Sequence, residues 1–463
     1  MPLRNPLLVP DLRELIQAGE TAAVRDFLAD LHPGQVAELV EDFGAPEGDK
    51  LLNLLDPRQR AEVFGYIDGE NQIRLIEAMD PADAAAMLHV MSHDERADLV
   101  QRLDDDIVDG ILRRLAHAER EDIRRLASYE PGTAGAVMTT DYATLPPHIT
   151  VREAIDRLRQ EAPDRETIYY NYVVDENRRL LGFVSLKDLF LARPRARVDE
   201  IMKTDLIVAR LDEDQESVAK KVEEYDLIAI PVVDAEDRLV GIVTYDDAAD
   251  ILRQEQAEDL IRFGGVSPDP EADSEPYWQS SAFTSVRRRI KWLLMLFVAE
   301  NFTYPVFEHF KWLEGDSYFP SLGFFVALLI GTGGNAGSQT VSTVIRGLAL
   351  GEIKRRDIWR VLGREALTGL ILGCALGLTG LVYSHFYRHQ PWGISLVVGL
   401  TLLCICLWAN TIGSLVPLVA TRFGLDPAVI SAPFITTLVD ATGLIIYYSI
   451  AIFILLRLGF GTG

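Results

Sequence analysis

Five apolar stretches, residues 290–310, 318–344, 366–386, 394–420 and 427–456, follow one another in the C-terminal part of the chain. Each is long enough to cross a bilayer as a helix, which takes about 20 residues. An odd number of crossings leaves the two ends of the segment on opposite sides. The basic residues sort the same way: Arg287, Arg288, Arg289, Lys291, Arg346, Lys354, Arg355, Arg356, Arg360, Arg364 and Arg422 fall on one side, and Lys311, Arg388 and Arg457 on the other. By the positive-inside rule this asymmetry predicts a cytoplasmic N-terminus and an external C-terminus.

Charge divides the chain at the same place. Residues 1–286 carry a net −29 and residues 287–463 a net +5, which together make the −24 of the whole. A surface of that sign repels phosphate backbones and anionic lipid headgroups, so nucleic acid is not an expected partner, and cations are. The three cysteines, Cys374, Cys404 and Cys406, all lie in apolar surroundings and form neither a disulfide framework nor a Cys-x-x-Cys site. Charges and prolines over Met1 to Leu15 replace the apolar core that a signal peptide requires.

The acidic part contains two repeats. Leu31-His-Pro33, Leu55-Asp-Pro57, Met79-Asp-Pro81 and Leu103-Asp-Asp105 recur every 24 residues. Asp before Pro is a helix start, so the spacing predicts a stack of short helices. Further on, Tyr172 to Asp188 aligns with Pro231 to Asp247 at an offset of 59, with eight of seventeen positions identical. Met138-Thr-Thr-Asp141 corresponds upstream to Met202-Lys-Thr-Asp205. The unit is a duplicated β-α-β-β-α module, followed by a charged helix over 248–263, a Gly264-Gly265 stop and a Pro, Asp and Glu-rich linker.

Asp440 is the residue with the strongest chemical implication. It stands thirteen positions into the fifth stretch, about 20 Å along a helix and so near mid-membrane. An acid there costs about 2.5–3.5 kcal/mol on insertion scales unless it faces protein or water. Pro433, Thr436, Thr437 and Gly443 share its face, Asn335, Ser338, Gln339 and Ser342 share one on the second stretch, and the fourth adds Asn410, Gly413, Ser414 and Pro417. Amide and hydroxyl oxygens around one carboxylate suit a hard, hydrated cation: Asp440 would hold the ion's waters, and Asn335, Asn410 and Thr436 would supply neutral oxygens. The glycines of Gly331-Thr-Gly-Gly-Asn-Ala-Gly-Ser-Gln339 also suit plain helix packing. Their Gly-x-Gly-x-x-Ala pattern lacks the strand that a dinucleotide fold requires.

With these motifs in hand, the duplicated module resembles a tandem pair of CBS domains, and the whole chain resembles the MgtE family of magnesium channels or transporters. The expected fold is a multidomain membrane protein: an all-α N-terminal helical stack (1–130), an α/β tandem CBS pair (131–198 and 199–252), a connecting helix and linker (253–286) and an all-α five-helix transmembrane domain (287–463). The resemblance implies an inner-membrane homodimer with a central pore in which Asp440 binds hydrated Mg2+. It also implies a connecting helix that plugs the pore when intracellular Mg2+ is high. Carried over from the family, the bridging groups for that Mg2+ are Asp214, Glu216, Asp247, Asp250, Glu258 and Asp259. Both modules carry Gly-x-x-Ser/Thr-x-x-Asp (Gly182, Ser185, Asp188 and Gly241, Thr244, Asp247), which implies an adenine nucleotide such as ATP, although Ser and Thr also cap helices at such positions. Two residues depart from the family pattern: Ala432 stands beside Pro433, and Glu300 puts an acid in the first stretch. His89 and His93, four apart, have zinc spacing without a third ligand. No nucleophile triad, P-loop or His-Glu-x-x-His motif points to an enzyme. The competing reading is a membrane-anchored CBS sensor that transports nothing, for which a polar lining around a buried acid has no use.

Overall fold

The computed structural model describes residues 8–162, 165–268, 281–311, 321–423, 426 and 430–457. The chain divides into two compact units, Met1–Glu255 and Gln256–Gly463, with the division inside the helix Tyr245–Phe263. Of the predicted linker that follows Gly264-Gly265 to Glu275, the part from residue 269 onward lies outside the described residues.

In the first unit each 24-residue repeat is a pair of helices. Pro33–Phe43 pairs with Ala45–Leu52, Pro57–Gly65 with Gly69–Ala78, Pro81–Val90 with His93–Arg102, and Asp105–Leu112 with His117–Leu126. The helices start where the repeat places them because the preceding side chain takes up free amides: Asp56 accepts from the backbone N–H of Arg58 and Gln59 at 3.0 Å, and Asp80 from Ala82 at 2.8 Å. Apolar residues at helical spacing, among them Val40, Leu52, Phe64, Leu88, Leu99 and Ile111, close over a single core.

The two modules fold alike. Tyr142–Leu145, Thr167–Val174 and Leu180–Ser185 form one three-stranded sheet, and Ala209–Arg210, Ala229–Val233 and Leu239–Thr244 form the other, each with one parallel and one antiparallel pair. Even the irregularity is duplicated, at Val173/Val174 and Val232/Val233. The segments that lead into the modules are exchanged, however. Thr139 bridges Ile242 of the second sheet, and Lys203 bridges Phe183 of the first. This exchange explains both motif glycines: a Cβ on Gly182 would lie 2.6 Å from the Lys203 carbonyl, and one on Gly241 2.4 Å from the Met138 sulfur.

Among the described residues the second unit is a bundle of five long helical segments. The first, Ala282–Glu300, breaks at Asn301–Phe302 and resumes as Thr303–Phe310. The others are Gly323–Ala349, Ile358–Val382 continuing to Tyr387, Trp392–Arg422, and Ala432–Ala451 continuing to Arg457. Three of them, Ile358–Tyr387, Trp392–Arg422 and Ala432–Leu455, are long and apolar enough to cross a membrane by length and composition. The second helix has the length, at 27 residues, but its glycine and polar run lowers its hydropathy, and the first is interrupted. Glycines set the closest approach in the bundle. On the third helix Gly369, Gly373 and Gly377 face the fourth, where a Cβ on Gly377 would stand 2.6 Å from the Gly399 carbonyl oxygen.

Candidate functional site

The fifth helix begins with Ser431 accepting from the Phe434 amide and Pro433 in its first turn. That start places Ile435, Val439, Gly443 and Leu444 in the bundle, while Pro433, Thr436, Thr437 and Asp440 are half-buried along its side. The Asp440 carboxylate has no hydrogen-bond or ion-pair partner among the described residues, and Glu300 lies near enough for its charge to act on it. The Thr436 and Thr437 hydroxyls donate to the Pro433 carbonyl at 2.7 and 3.0 Å. Their oxygens are thus left as acceptors, which is what the waters of a hydrated cation require.

The second helix presents two faces. Gly333, Gly334, Gly337, Thr340, Val341 and Val344 are buried. A Cβ on Gly334 would lie 3.1 Å from Thr436 Cγ2 and 3.7 Å from Asp440 Oδ1, so the glycine run is the seat on which the acid's helix rests. Asn335, Gln339 and Ser342 are exposed and Ser338 half-buried, so this polar stripe is left open by the chain itself. The fourth-helix stripe is placed differently from the sequence expectation. Asn410 is 2 % exposed, accepts from Thr340 Oγ1 at 2.7 Å and donates to the Cys406 carbonyl at 2.8 Å. Gly413, Ser414 and Pro417 are buried with it. With both ends of its amide engaged, Asn410 joins two helices instead of lining an open face.

The end of the Tyr245–Phe263 helix sits on this same bundle. Arg262 pairs with Asp426 at 2.7 Å, Phe263 packs against the cluster of Ala336, Val341, Ala409, Ile435 and Val439, and Gly265, in the left-handed conformation at φ 71°, turns the chain so that Ser267 and Arg288 bond through their backbones.

The acids expected to bridge Mg2+ are dispersed along the chain. Asp214 caps the helix Gln215–Glu224, Glu216 pairs with Lys220 at 2.6 Å, Asp250 with Arg253 at 2.7 Å and Glu258 with Arg262, while Asp259 is half-buried on the same helix. Asp247 differs. Burial and the charges of Asp94, Asp246 and Glu95 push its carboxyl up to about 7, despite a hydrogen bond from Thr244 at 2.5 Å. Glu95 and Glu166 rise to about 7 in the same crowd, through burial and Asp94 first. Asp94, Glu95 and Glu166 were not legible as members of this cleft, because two of them read as ordinary first-turn acids of His93–Arg102. Among the described residues no three His, Cys, Asp or Glu side chains gather closely enough to hold a metal.

The first module's motif has another environment. Ser185 donates to Asp188 at 2.7 Å and caps its helix, and Lys203 stands 3.1 Å from Asp188, so the carboxyl is held below its usual range. The His89/His93 pair is not a zinc site. A helix ends between the two, and they turn to different acids, His89 to Glu119 at 2.5 Å and His93 to Asp122 at 2.7 Å and Asp141 at 3.1 Å.

Comparison with known proteins matches separate parts of the chain to separate families. Residues 326–450 match the MgtE model of divalent cation transporters, 31–132 the MgtE intracellular N domain, and 134–195 and 198–254 the CBS domain. The magnesium transporter MgtE of Thermus thermophilus is 39% identical over 452 residues, 96% of this chain and 98% of that one. Its counterpart in Enterococcus faecalis is 38% identical over 443 residues, 95% of each. Among solved structures, the cytosolic domain of the Mg2+ channel MgtE in complex with ATP is 39% identical and superposes with a TM-score of 0.50, covering 53% of this chain and 100% of that one. The soluble part of a magnesium transporter gives 0.50 at 34% identity, over 53% of this chain and 97% of that one. These relatives move ions and are not enzymes. The chain is a membrane protein belonging to the MgtE family of magnesium transporters.

Proposed function

We propose that this chain conducts hydrated Mg2+ into the cytoplasm, down its electrochemical gradient, through a passage lined by Asp440, Thr436 and Asn335. The observation that carries the reading is Asp440 itself: a carboxylate without a partner among the described residues, at membrane depth, beside threonine oxygens that can only accept. A divalent ion that keeps its six waters meets acceptors there without being stripped, which suits Mg2+, whose dehydration is costly. The open Asn335, Gln339 and Ser342 stripe supports a second copy of the chain closing the passage, since lipid would not solvate it. The basic-residue asymmetry supports five crossings with the N-terminus in the cytoplasm.

Intracellular Mg2+ closes the passage by bridging acidic surfaces, through Asp214, Glu216, Asp247 and Asp250 in the modules and Glu258 and Asp259 on the connecting helix. The seating of Arg262 and Phe263 against the bundle supports that helix as the plug. Swinging a gate from 1:99 to 99:1 takes about 5.5 kcal/mol of differential binding, which several weak sites supply together. ATP binds the first module, where Ser185, Asp188 and Lys203 offer a hydroxyl, an acid for a ribose and a cation for phosphate. Gly182 and Gly241 keep the backbone close to the exchanged segments, and Thr244 belongs to the acidic cleft. The test is reconstitution of the full chain in liposomes: Mg2+ entry stops as internal Mg2+ rises, and Asp440→Ala admits none. Closure-independent, Asp440-independent entry would refute the reading.

A further inference from the structure

One acid of the membrane unit has no part in this scheme. Glu300 is the last residue of the helix Ala282–Glu300, before the break at Asn301–Phe302. The break is closed off without it: the Asn301 side chain donates to the Phe297 carbonyl at 2.7 Å. Glu300 is exposed and has no cationic partner among the described residues. It stands eleven positions beyond Arg289, about 16 Å along the helix and close to half the thickness of a hydrocarbon core. Asp440 is eight positions into its own helix, about 12 Å, and in a five-crossing bundle the first and fifth helices run in the same direction. The two acids therefore lie at similar depth, on helices that pack together through Val306, Phe307 and Phe310 of the resumed first helix and Tyr448 of the fifth. Glu300 is also near enough for its charge to act on Asp440. An unpaired carboxylate facing lipid at that depth is costly, and a wet passage beside Asp440 removes the cost.

We propose that Glu300 is a second carboxylate of the ion passage, which holds hydrated divalent cations jointly with Asp440 and discriminates against monovalent ones. The inference rests on Asp440 lining a conduction path. Each chain then offers two negative charges to the ion's water shell, and the attraction grows with the ion's charge, so Mg2+ gains more than Na+.

The test is Mg2+ entry into liposomes carrying the full chain, with Na+ as competitor, for wild type, Glu300→Gln, Glu300→Asp and Asp440→Asn. Glu300→Gln is expected to raise half-saturating Mg2+ about sixfold for each copy of the charge removed, the factor for one charge about 8 Å from a divalent ion at near-aqueous dielectric. It also makes Na+ a better competitor, while Glu300→Asp stays near wild type and Asp440→Asn does not conduct. If Asp440→Asn fails while Glu300→Gln matches wild type in half-saturation and Na+ competition, Glu300 faces lipid and the inference alone is overturned. If Asp440→Asn conducts like wild type, the passage reading falls and takes this one with it. Should Glu300→Gln not fold, Glu300→Cys decides. A charged, water-soluble thiol reagent is expected to modify it faster than the three native cysteines, and more slowly with Mg2+ present; no reaction above the wild-type background overturns the proposal.

Discussion

Acids serve the two units of this chain in opposite ways. In the first, carboxylates crowd a cleft where burial and the charge of Asp94 raise the proton affinity of Glu95, Glu166 and Asp247, and others along the surface pair with a neighbouring Lys or Arg. In the second, Asp440 has no partner among the described residues and stands on a helix seated on glycines. A shared set would give a graded response, because removing one member leaves the rest, whereas an acid on which the proposed passage depends would give an all-or-none response.

The comparison can be broken most forcefully at its membrane end. Asp440→Ala is expected to lower Mg2+ entry at least about hundredfold in folded protein, the order of effect when a site's essential charge is lost; entry within tenfold of wild type would make the acid dispensable. Next comes the gate. Glu258→Ala with Asp259→Ala is expected to leave entry open at internal Mg2+ that closes wild type, and wild-type closure would contradict the plug.

The crowded cleft gives smaller, graded effects. Asp247→Asn removes a charge that its neighbours oppose, so in Mg2+-free buffer at pH 8 it is expected to stabilise the protein by on the order of 2 kcal/mol after allowance for solvent screening, as read from denaturant unfolding. The same variant shifts the Mg2+ needed for closure only several-fold. Proton linkage has a definite sign here. Asp247, Glu95 and Glu166 titrate near 7 when folded and near 4 when unfolded, so the folded chain binds more protons between pH 4 and 7. Stability without Mg2+ therefore falls as pH rises through that window and levels off above it. Mg2+ binding at pH 6.5 is then expected to release protons, which calorimetry in buffers of different ionisation heat detects; a stability that rises from pH 5 to 7 would contradict the crowding. Thr340→Val leaves Asn410 Oδ1 without a donor and is expected to cost about 1–3 kcal/mol of stability with entry per folded molecule retained. Ser185→Ala, which removes a helix cap, is expected to cost about 1 kcal/mol and to weaken ATP binding modestly.

The sequence showed most of the fold because its periods are those of the elements. The 24-residue repeat marked helix starts at Pro33, Pro57, Pro81 and Asp105, and the 59-residue offset marked corresponding strands down to their bulge. Tertiary exchange was not legible. Nothing local says that Thr139 pairs with the second sheet and Lys203 with the first, or that Gly182 and Gly241 are small because another backbone crosses there. Asp440 and Thr436 stood out because a polar face on an apolar helix has a cost. Asn410 carried the same signal for a different reason, since an amide can equally be buried by satisfying it from Thr340 and Cys406, and spacing does not distinguish lining from linkage. The Asp94 to Asp247 cleft joins helices far apart in the chain, so its members looked like separate surface acids.

The most direct measurement is the position of a bound ion. Mn2+ carries the charge and hydration geometry of Mg2+ and scatters anomalously, so crystals of the full chain grown with it would show where it rests. The account predicts a peak about 4 Å from the Asp440 carboxylate, one water layer beyond the roughly 2.1 Å of direct ligation. A carboxyl enclosed by neighbouring side chains, with no such peak beside it, would contradict the account.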